Sequence, residues 1–140
     1  MKENNITINC LAFQLSMARK KVQKWYERYL EEYGLSTSYV YVMEVIKEFG
    51  PSSLSLIAEK IELERATVST LLGRMERDGF IERLVGKERR SMEVHLTPKG
   101  KKVLNHALSS LQNADKELNE LLSGNLDEIK SSIQTLNNKL

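Results

Sequence analysis

Residues 85–97, VGKERRSMEVHLT, concentrate positive charge at a tight turn. The charged side chains from position 83 to 90 are four cations and one acid: Arg83, Lys87, Arg89, Arg90 and Glu88. The flanking runs FIERLV and SMEVHLT are β-branched or alternating, and this pattern predicts a β-hairpin with a basic tip. Guanidinium groups bind phosphate and enter narrow minor grooves, where the negative potential of DNA is concentrated. The hairpin therefore has the composition of a DNA-contacting wing, in which Glu88 is expected to orient one arginine through a bidentate pair.

The segment before the hairpin, about Arg65 to Asp78, is predicted to be a helix with two different faces. At about 100° per residue, one narrow band collects the apolar side chains Val68, Leu71, Leu72 and Met75. The opposite face carries small residues near its beginning and cations near its end: Ala66, Ser69, Thr70, Gly73, Arg74 and Arg77. A helix in the major groove needs short side chains beside the base edges, hydroxyls that can bond to them, and arginines for guanine or phosphate. Since glycine costs about 1 kcal/mol of helix propensity, Gly73 would be unfavourable on a face that meets only solvent.

Two shorter helices are predicted just upstream. The first, about Tyr39 to Phe49, has Ser36 as its N-cap and Val42, Met43 and Ile46 on its inner side. Ser53 is a suitable N-cap for a helix that ends near Ile61, and the turn at Glu62-Leu63 joins it to the next helix as in a helix-turn-helix unit. The residues expected to contact DNA from this unit and the hairpin are Ser53, Arg65, Ala66, Thr67, Ser69, Thr70, Arg74, Arg77, Lys87, Arg89 and Arg90.

Long helices are predicted on both sides of this unit. Apolar residues at steps of three and four predict one amphipathic helix from about Thr7 to Tyr33. Thr97-Pro98 is an N-cap followed by proline at the first helical position, and it should begin a helix that runs to about Leu122. A last helix follows Ser123-Gly124. Their apolar seams exceed what the central unit can cover, so these helices are expected to form a dimerisation layer.

The predicted fold class is therefore mainly α with a small β-hairpin wing: a winged helix-turn-helix flanked by long dimerisation helices. In one compact chain, residues 1–35 are the N-terminal dimerisation helix, 36–97 the DNA-binding lobe and 98–140 the C-terminal dimerisation helices. The net charge of the 140 residues is only +2, so the overall charge does not reveal the local excess of positive charge in the hairpin. The single cysteine, the absence of a long apolar run and the polar N-terminus indicate a cytoplasmic protein with no membrane segment.

The run SLSLIAEKIELERATVSTLLGRMERDGFIERL, followed by ERRSMEVHLTPKG, resembles the MarR family of winged helix-turn-helix transcription regulators. Members usually show an acid, any residue, Arg and Ser or Ala at the wing tip, and the motif L-T-x-x-G at the start of the next helix. Glu88, Arg90, Ser91 and residues 96–100 match these motifs, with Glu88 where the family usually has Asp. The resemblance implies a homodimer, most simply a repressor, on a pseudo-palindromic double-stranded DNA operator, with the 65–77 helix in the major groove and Arg90 at the minor groove.

The resemblance also implies release from DNA by a small-molecule effector, for which an aromatic compound is one candidate. Four aromatic side chains are candidates for its pocket, although core and interface packing is the simpler interpretation: Trp25, Tyr26, Tyr29 and Tyr39. The alternative is a repressor that senses peroxide through Cys10. An ungapped match to the peroxide-sensing branch of the family places the sensor position at Ala12, about 200° away on a continuous helix, and this favours a buried or interface thiol.

An enzyme is not expected. The sequence has no glycine-rich phosphate loop and no HExxH or paired-cysteine spacing, so neither a cofactor nor a metal is predicted. His95 and His106 are expected on an exposed strand face and on a helix, with no catalytic partner. A purely helical interaction protein is a further alternative, but it would give no reason for the basic wing.

Overall fold

The computed structural model describes residues 6–87 and 91–140 as seven α-helices and one two-stranded antiparallel sheet. In chain order the elements are α1 (Ile6–Asn9), α2 (Leu11–Leu30), α3 (Thr37–Phe49), α4 (Leu54–Ile61), α5 (Arg65–Arg77), β1 (Ile81–Val85), β2 (Met92–Leu96), α6 (Pro98–Leu121) and α7 (Leu126–Lys139). The predicted fold class, mainly α with a β-hairpin wing, is confirmed. None of the helices in the described part of the chain combines the length and apolarity needed to cross a bilayer.

The prediction of one continuous helix from about Thr7 to Tyr33 is wrong. The helix is interrupted at Cys10, whose backbone is extended (φ −67°, ψ 148°), so that α1 ends at Asn9 and α2 begins at Leu11. Its last turn, Glu31–Tyr33, is a 3-10 helix that ends on Gly34 at φ 70°. The interruption removes the basis of the 200° argument, because Cys10 and Ala12 do not lie on one continuous helix.

Three helix starts agree with prediction because each carries its own N-cap. The side-chain oxygens of Ser36, Ser53 and Thr97 accept hydrogen bonds from the backbone N–H groups three residues later, at 3.2, 3.1 and 3.0 Å. Pro98 occupies the first position of α6, where its missing N–H costs nothing.

The core surrounds α3, which packs against α2, α4, α5, α6 and β2. Its buried side chains include Val42, Met43 and Ile46, as the periodicity predicts. The four apolar residues predicted for the inner face of α5 are all buried: Val68, Leu71, Leu72 and Met75. This packing fixes the rotation of α5 and turns its small and basic face outward.

The hairpin is tied to the core at its base and extends from it towards the tip. Its register runs from Ile81 opposite Leu96 to Val85 opposite Met92. Ser52, from the turn after α3, pairs with Val94 through two backbone hydrogen bonds of 3.2 and 2.8 Å. The predicted alternation holds only near this base, since Val94 is 2% exposed but Met92 is 48% exposed. Towards the tip both faces of the hairpin meet solvent.

The end of α5 is joined to the start of α6 by a close backbone contact. The hydroxyl of Thr97 donates to the carbonyl of Gly79 at 2.6 Å, and the backbone N–H of Thr97 donates to the carbonyl of Phe80 at 3.1 Å. A Cβ on Gly100 would lie 2.1 Å from the carbonyl oxygen of Phe80. Position 100 therefore has room only for glycine, which accounts for the last residue of the L-T-x-x-G motif.

Two glycine substitutions should have opposite effects on the free energy of unfolding. Gly100→Ala should lower it by about 1–3 kcal/mol, because a backbone shift is needed to relieve the clash with Phe80. Gly73→Ala should raise it by up to about 1 kcal/mol, because alanine favours the helix and, outside the neighbouring residues of α5, the nearest atom to its Cβ would be the Arg83 guanidinium at 3.9 Å. Urea titrations of both variants and the wild type measure the difference. Equal stabilities of the two variants would contradict the close approach at position 100.

Candidate nucleic-acid interface

The outer face of α5 is exposed along its whole length. Every predicted DNA contact on this helix is exposed in the structure: Arg65, Ala66, Thr67, Ser69, Thr70, Arg74 and Arg77. Gly73 is exposed between them and leaves the backbone uncovered. Apart from Arg65 at its start, the face thus offers hydroxyls along its first two turns, followed by the bare backbone of Gly73 and the guanidinium groups of Arg74 and Arg77.

The hydroxyl groups near this face differ in their present partners. The Oγ of Ser53 caps α4 by accepting the hydrogen bond from the backbone N–H of Leu56. The Ser53 side chain is also exposed to solvent. Thr70 donates to the carbonyl of Ala66 at 3.2 Å, which leaves its oxygen lone pairs directed to solvent. Glu64 precedes α5 and makes no side-chain cap bond, so it does not cap the first N–H groups of this helix.

The acids near the end of α5 are engaged by neighbouring side chains. Glu76 Oε1 lies 3.8 Å from Arg83 Nε. Asp78 accepts a hydrogen bond from the hydroxyl of Tyr39 at 2.8 Å, and its other oxygen lies 3.7 Å from Arg77 Nε. Neither Arg65 nor Arg74 pairs with a carboxylate of the described residues. Their charge is therefore available to an external anion.

Arg83 belongs to this region, although it is not among the predicted DNA contacts. Its side chain runs from β1 to the surface of α5, with its Nη2 3.9 Å from the position of a Cβ on Gly73. Its Nε is buried and has no hydrogen-bond partner among the described residues. The sequence pattern of the strands could have indicated this position of Arg83. Arg83 pairs with the buried Val94, and directly paired residues point to the same side of a hairpin. Arg83 joins the root of the hairpin to the outer face of α5.

The tip of the hairpin is described only in part. Lys87 is exposed, as expected for a residue that contacts a phosphate backbone. Glu88, Arg89 and Arg90, which carry the predicted wing contacts and the orienting pair, lie outside the described residues. On the near side of the tip, a Cβ on Gly86 would lie 2.6 Å from the Oγ of Ser91, so a larger residue here would have to displace the side chains of Ser91 and Glu93.

The aromatic residues of α2 form a row of contacts with α6. The indole N–H of Trp25 donates to the carbonyl of Ala114 at 3.0 Å, and the hydroxyls of Tyr26 and Tyr29 donate to Asp115 and Glu117. Burial and the hydrogen bond to Asp115 together raise the pKa of Tyr26. Tyr26 thus remains a neutral hydrogen-bond donor at any physiological pH. The row fixes α2 along α6.

The four aromatic candidates for an effector pocket do not share one cavity. Tyr39 is buried and directed to Asp78, while Trp25 and Tyr29 line a shallow groove with Arg28 and Glu117. Tyr26 lines a different cleft of about 520 Å³ between α2, α3 and α6. We call this the aromatic cleft; its walls are Tyr26, Thr37, Val40, Tyr41, Glu44, Leu108, Leu111, Gln112 and Asp115. Tyr41, which is 54% exposed on the outer side of α3, lines this cleft and was not among the predicted pocket residues.

The sequence and fold that carry this exposed face of α5 are similar to those of known DNA-binding proteins. The model of the MarR family matches residues 35–90, which include the helix-turn-helix and the hairpin up to its tip. Over these residues the chain is similar to the MarR family. It is accordingly a DNA-binding transcription regulator and not an enzyme. In the described residues, no group of His, Cys, Asp or Glu side chains is arranged to hold a metal ion.

Relatives and solved structures of this family resemble the chain over most of its length. The transcriptional regulator SarZ of Staphylococcus epidermidis is 26% identical over 118 residues, which cover 84% of this chain and 80% of SarZ. The regulator MosR of M. tuberculosis, solved in complex with DNA, is 25% identical with a TM-score of 0.80 over 94% of this chain and 96% of MosR. The repressor CouR, solved with p-coumaroyl-CoA, is 19% identical, and its TM-score of 0.88 over 98% of both chains shows a shared fold.

The Tyr39 hydroxyl should stabilise the end of the DNA-facing helix. Tyr39→Phe removes its hydrogen bond to Asp78, and the free energy of unfolding should fall by roughly 1–3 kcal/mol, as is typical of a hydrogen bond to a charged group. Urea titration near pH 7 measures the loss. Tyr41→Phe, on the exposed side of the same helix, is the matched control and should change stability by less than about 0.5 kcal/mol.

The pH dependence gives an independent check on Tyr39. Burial, and then the hydrogen bond to Asp78, raise the pKa of Tyr39 above its ordinary value, which is about 10. The stabilisation is therefore complete below about pH 10 and is lost progressively above it, as the unfolded chain releases this proton first. The gap between wild type and Tyr39→Phe should be constant from pH 7 to 9 and narrow above pH 10. A gap that widens above pH 10 would be incompatible with this bond.

Proposed function

We propose that the protein is a sequence-specific repressor that binds a pseudo-palindromic operator as a homodimer and is released by a small-molecule effector. The observation that carries the proposal is the outer face of α5, where exposed hydroxyls and Gly73 precede two arginines, of which Arg74 has no carboxylate partner among the described residues. Its buried face is fully packed against the core, so the helix can enter a groove without exposing apolar surface. Arg89 and Arg90 complete the contact at the minor groove, with Glu88 as the orienting acid.

Unpaired apolar surface on the outer helices supports the dimer. Large apolar side chains from the two ends of the chain are exposed: Ile6, Leu11, Phe13, Met17, Leu121, Ile129, Ile133 and Leu140. The N-terminal half of α2 and α7 face each other across an open groove of about 590 Å³ that lies among these residues. Exposed surface of this kind is unfavourable in a monomer and typical of a subunit interface. A second copy of the chain would cover it and place two α5 helices for two half-sites.

The aromatic cleft is the proposed effector site. It combines apolar walls with the side chains of Tyr26, Gln112 and Asp115 as polar partners, a composition typical of small-molecule sites. Its walls belong to α3 of the DNA-binding lobe and to α2 and α6 of the outer layer. A ligand here contacts both parts and would favour one arrangement of them over another. CouR, in its complex with p-coumaroyl-CoA, is a protein of the same fold that binds an aromatic acyl ligand.

Thr70 and Arg74 should have separable effects on operator binding. After selection of a binding site from random duplexes, Thr70→Ala should reduce discrimination between good and poor half-sites by about 1–3 kcal/mol per base contact, with an unchanged salt slope. Arg74→Ala and Arg90→Ala should weaken binding to all sequences and reduce the slope of log K against log salt by about 0.9 for each phosphate that the variant no longer neutralises. Fluorescence anisotropy over a salt series measures both quantities.

Ser109→Ala is the matched control for Thr70→Ala. Like Thr70, Ser109 is exposed on a helix and donates to the carbonyl four residues earlier, at 3.4 Å, but it lies on α6. The Ser109→Ala variant should leave affinity, discrimination and salt slope at the wild-type values.

Footprinting should show two half-sites about one helical turn apart. A monomeric footprint, or a Thr70→Ala variant that discriminates as well as wild type, would refute this mode of binding.

Cys10 supports a second candidate mechanism, release by oxidation, because its thiol is exposed at the start of α2 beside the proposed dimer surface. We expect release by the effector instead, and therefore equal operator binding by wild type and Cys10→Ser before and after treatment with an organic hydroperoxide. Binding that wild type loses on oxidation and Cys10→Ser retains would establish the thiol mechanism in its place.

A further inference from the structure

The hairpin carries an exposed apolar pair just before its tip. Val85 and Met92 are the last paired residues of β1 and β2, and their side chains are 75% and 48% exposed. The ladder continues beyond them, since the backbone N–H of Gly86 donates to the carbonyl of Ser91 at 2.9 Å. Backbone hydrogen bonds therefore hold the pair from both directions, and its exposure is a property of the folded hairpin.

The two sides of the hairpin differ in charge. Directly paired residues point to the same side and successive residues to opposite sides, so Arg83, Val85 and Met92 share one side with the buried Val94. We call this the Arg83 side. The opposite side carries the remaining polar residues of the strands together with one leucine: Glu82, Leu84, Glu93 and His95. Both acids of β1 and β2 thus lie on the opposite side, and only the Arg83 side suits a polyanion.

The Arg83 side is continuous with the outer face of α5. Arg83 Nη2 lies 3.9 Å from the position of a Cβ on Gly73, which is exposed on that face. Glu76 borders this junction, with its Oε1 3.8 Å from Arg83 Nε. At about 3.4 Å per residue, the pair Val85–Met92 lies roughly 7 Å further along the hairpin than Arg83. A duplex that is bound to α5 therefore meets the apolar pair next.

We propose that Val85 and Met92 make an apolar contact with deoxyribose rings at the edge of the minor groove beside each half-site. The inference rests on the proposed mode of DNA binding and adds to it a contact without charge. Proteins that bind the minor groove commonly place apolar side chains against the DNA. Because deoxyribose lacks the 2′-hydroxyl of RNA, an apolar side chain that covers the ring leaves no hydroxyl without a hydrogen-bond partner.

The surroundings of the pair favour DNA over a second copy of the chain as its occupant. Arg83 precedes the pair, and Lys87, which follows Val85 by two residues, is exposed and pairs with no carboxylate of the described residues. Two side chains are also far too little for a stable subunit interface, which buries about 800 Å² per partner. The proposed dimer surface lies elsewhere, on the outer helices.

Fluorescence anisotropy with the duplex that wild type selects from random sequences tests the contact. Val85→Thr/Met92→Gln should bind this duplex at least about tenfold more weakly, which is about 1.4 kcal/mol. The slope of log K against log salt should stay at the wild-type value, because no phosphate contact is lost. The heat-capacity change of binding should become less negative, since less apolar surface is buried. Val85→Ile/Met92→Leu, which keeps the apolar surface, should bind as wild type.

Leu84→Gln is the matched control for the polar variant. Leu84 is 43% exposed in the same strand but points to the opposite side of the hairpin, so this variant should bind the duplex as wild type. Sedimentation without DNA should give the wild-type oligomeric state for every variant.

Four results would each overturn the contact and leave the α5 interface in place. They are wild-type affinity of Val85→Thr/Met92→Gln, a reduced salt slope in that variant, an equal loss of affinity in Leu84→Gln, and an altered oligomeric state. Failure of wild type to select any duplex would instead refute the proposed function, and the apolar contact with it.

Discussion

The close approach between the end of α5 and the start of α6 is the contact on which the rest of the molecule depends. With Gly100 packed against the carbonyl of Phe80, and Thr97 bonded to Gly79 and Phe80, the segment after α5 is held by the N-terminus of α6. Lys99 adds a hydrogen bond of 2.8 Å from its Nζ to the carbonyl of Asp78. Helix α5, the root of the hairpin and the longest outer helix therefore meet within a few residues. Movement of α6 relative to the core must change the orientation of α5 or break these bonds.

Local signals in the sequence were sufficient for most of the fold. Ser36, Ser53 and Thr97 bond to backbone N–H groups only three residues away, so the helix starts could be predicted from residue types and spacing. The inner face of α5 followed from periodicity, because a helix of 13 residues repeats its apolar pattern often enough to fix its rotation. The same local information predicted the outward face of α5 and the basic hairpin. These features together define the candidate DNA interface.

Features that depend on distant residues could not be predicted. Tyr39 and Asp78 are 39 residues apart, and Trp25 and Ala114 are 89 apart, so no spacing rule connects them. Tyr39 therefore remained a pocket candidate although its hydroxyl serves the end of α5. The interruption at Cys10 has no proline or glycine to mark it, and the apolar periodicity continues through it. The aromatic cleft combines three helices far apart in the chain, and its member Tyr41 carries no sequence signal of its own.

Helix α3 connects the proposed effector site to the DNA-facing helix. Tyr41 borders the aromatic cleft, while Tyr39, two residues earlier and about 200° around the helix, bonds to Asp78 at the end of α5. Because the inner side of α3 is closely packed in the core, we expect a displacement of its outer side to be transmitted to the inner side and not to be absorbed locally. A ligand that pushes on the Tyr41 side therefore shifts the Tyr39 side as well. The energy required is small: a tenfold change in operator affinity corresponds to about 1.4 kcal/mol, which is within the range of the single hydrogen bond between Tyr39 and Asp78. In the proposed mode of release, this bond is strong enough to hold the end of α5 in one orientation and weak enough for an effector to change that orientation.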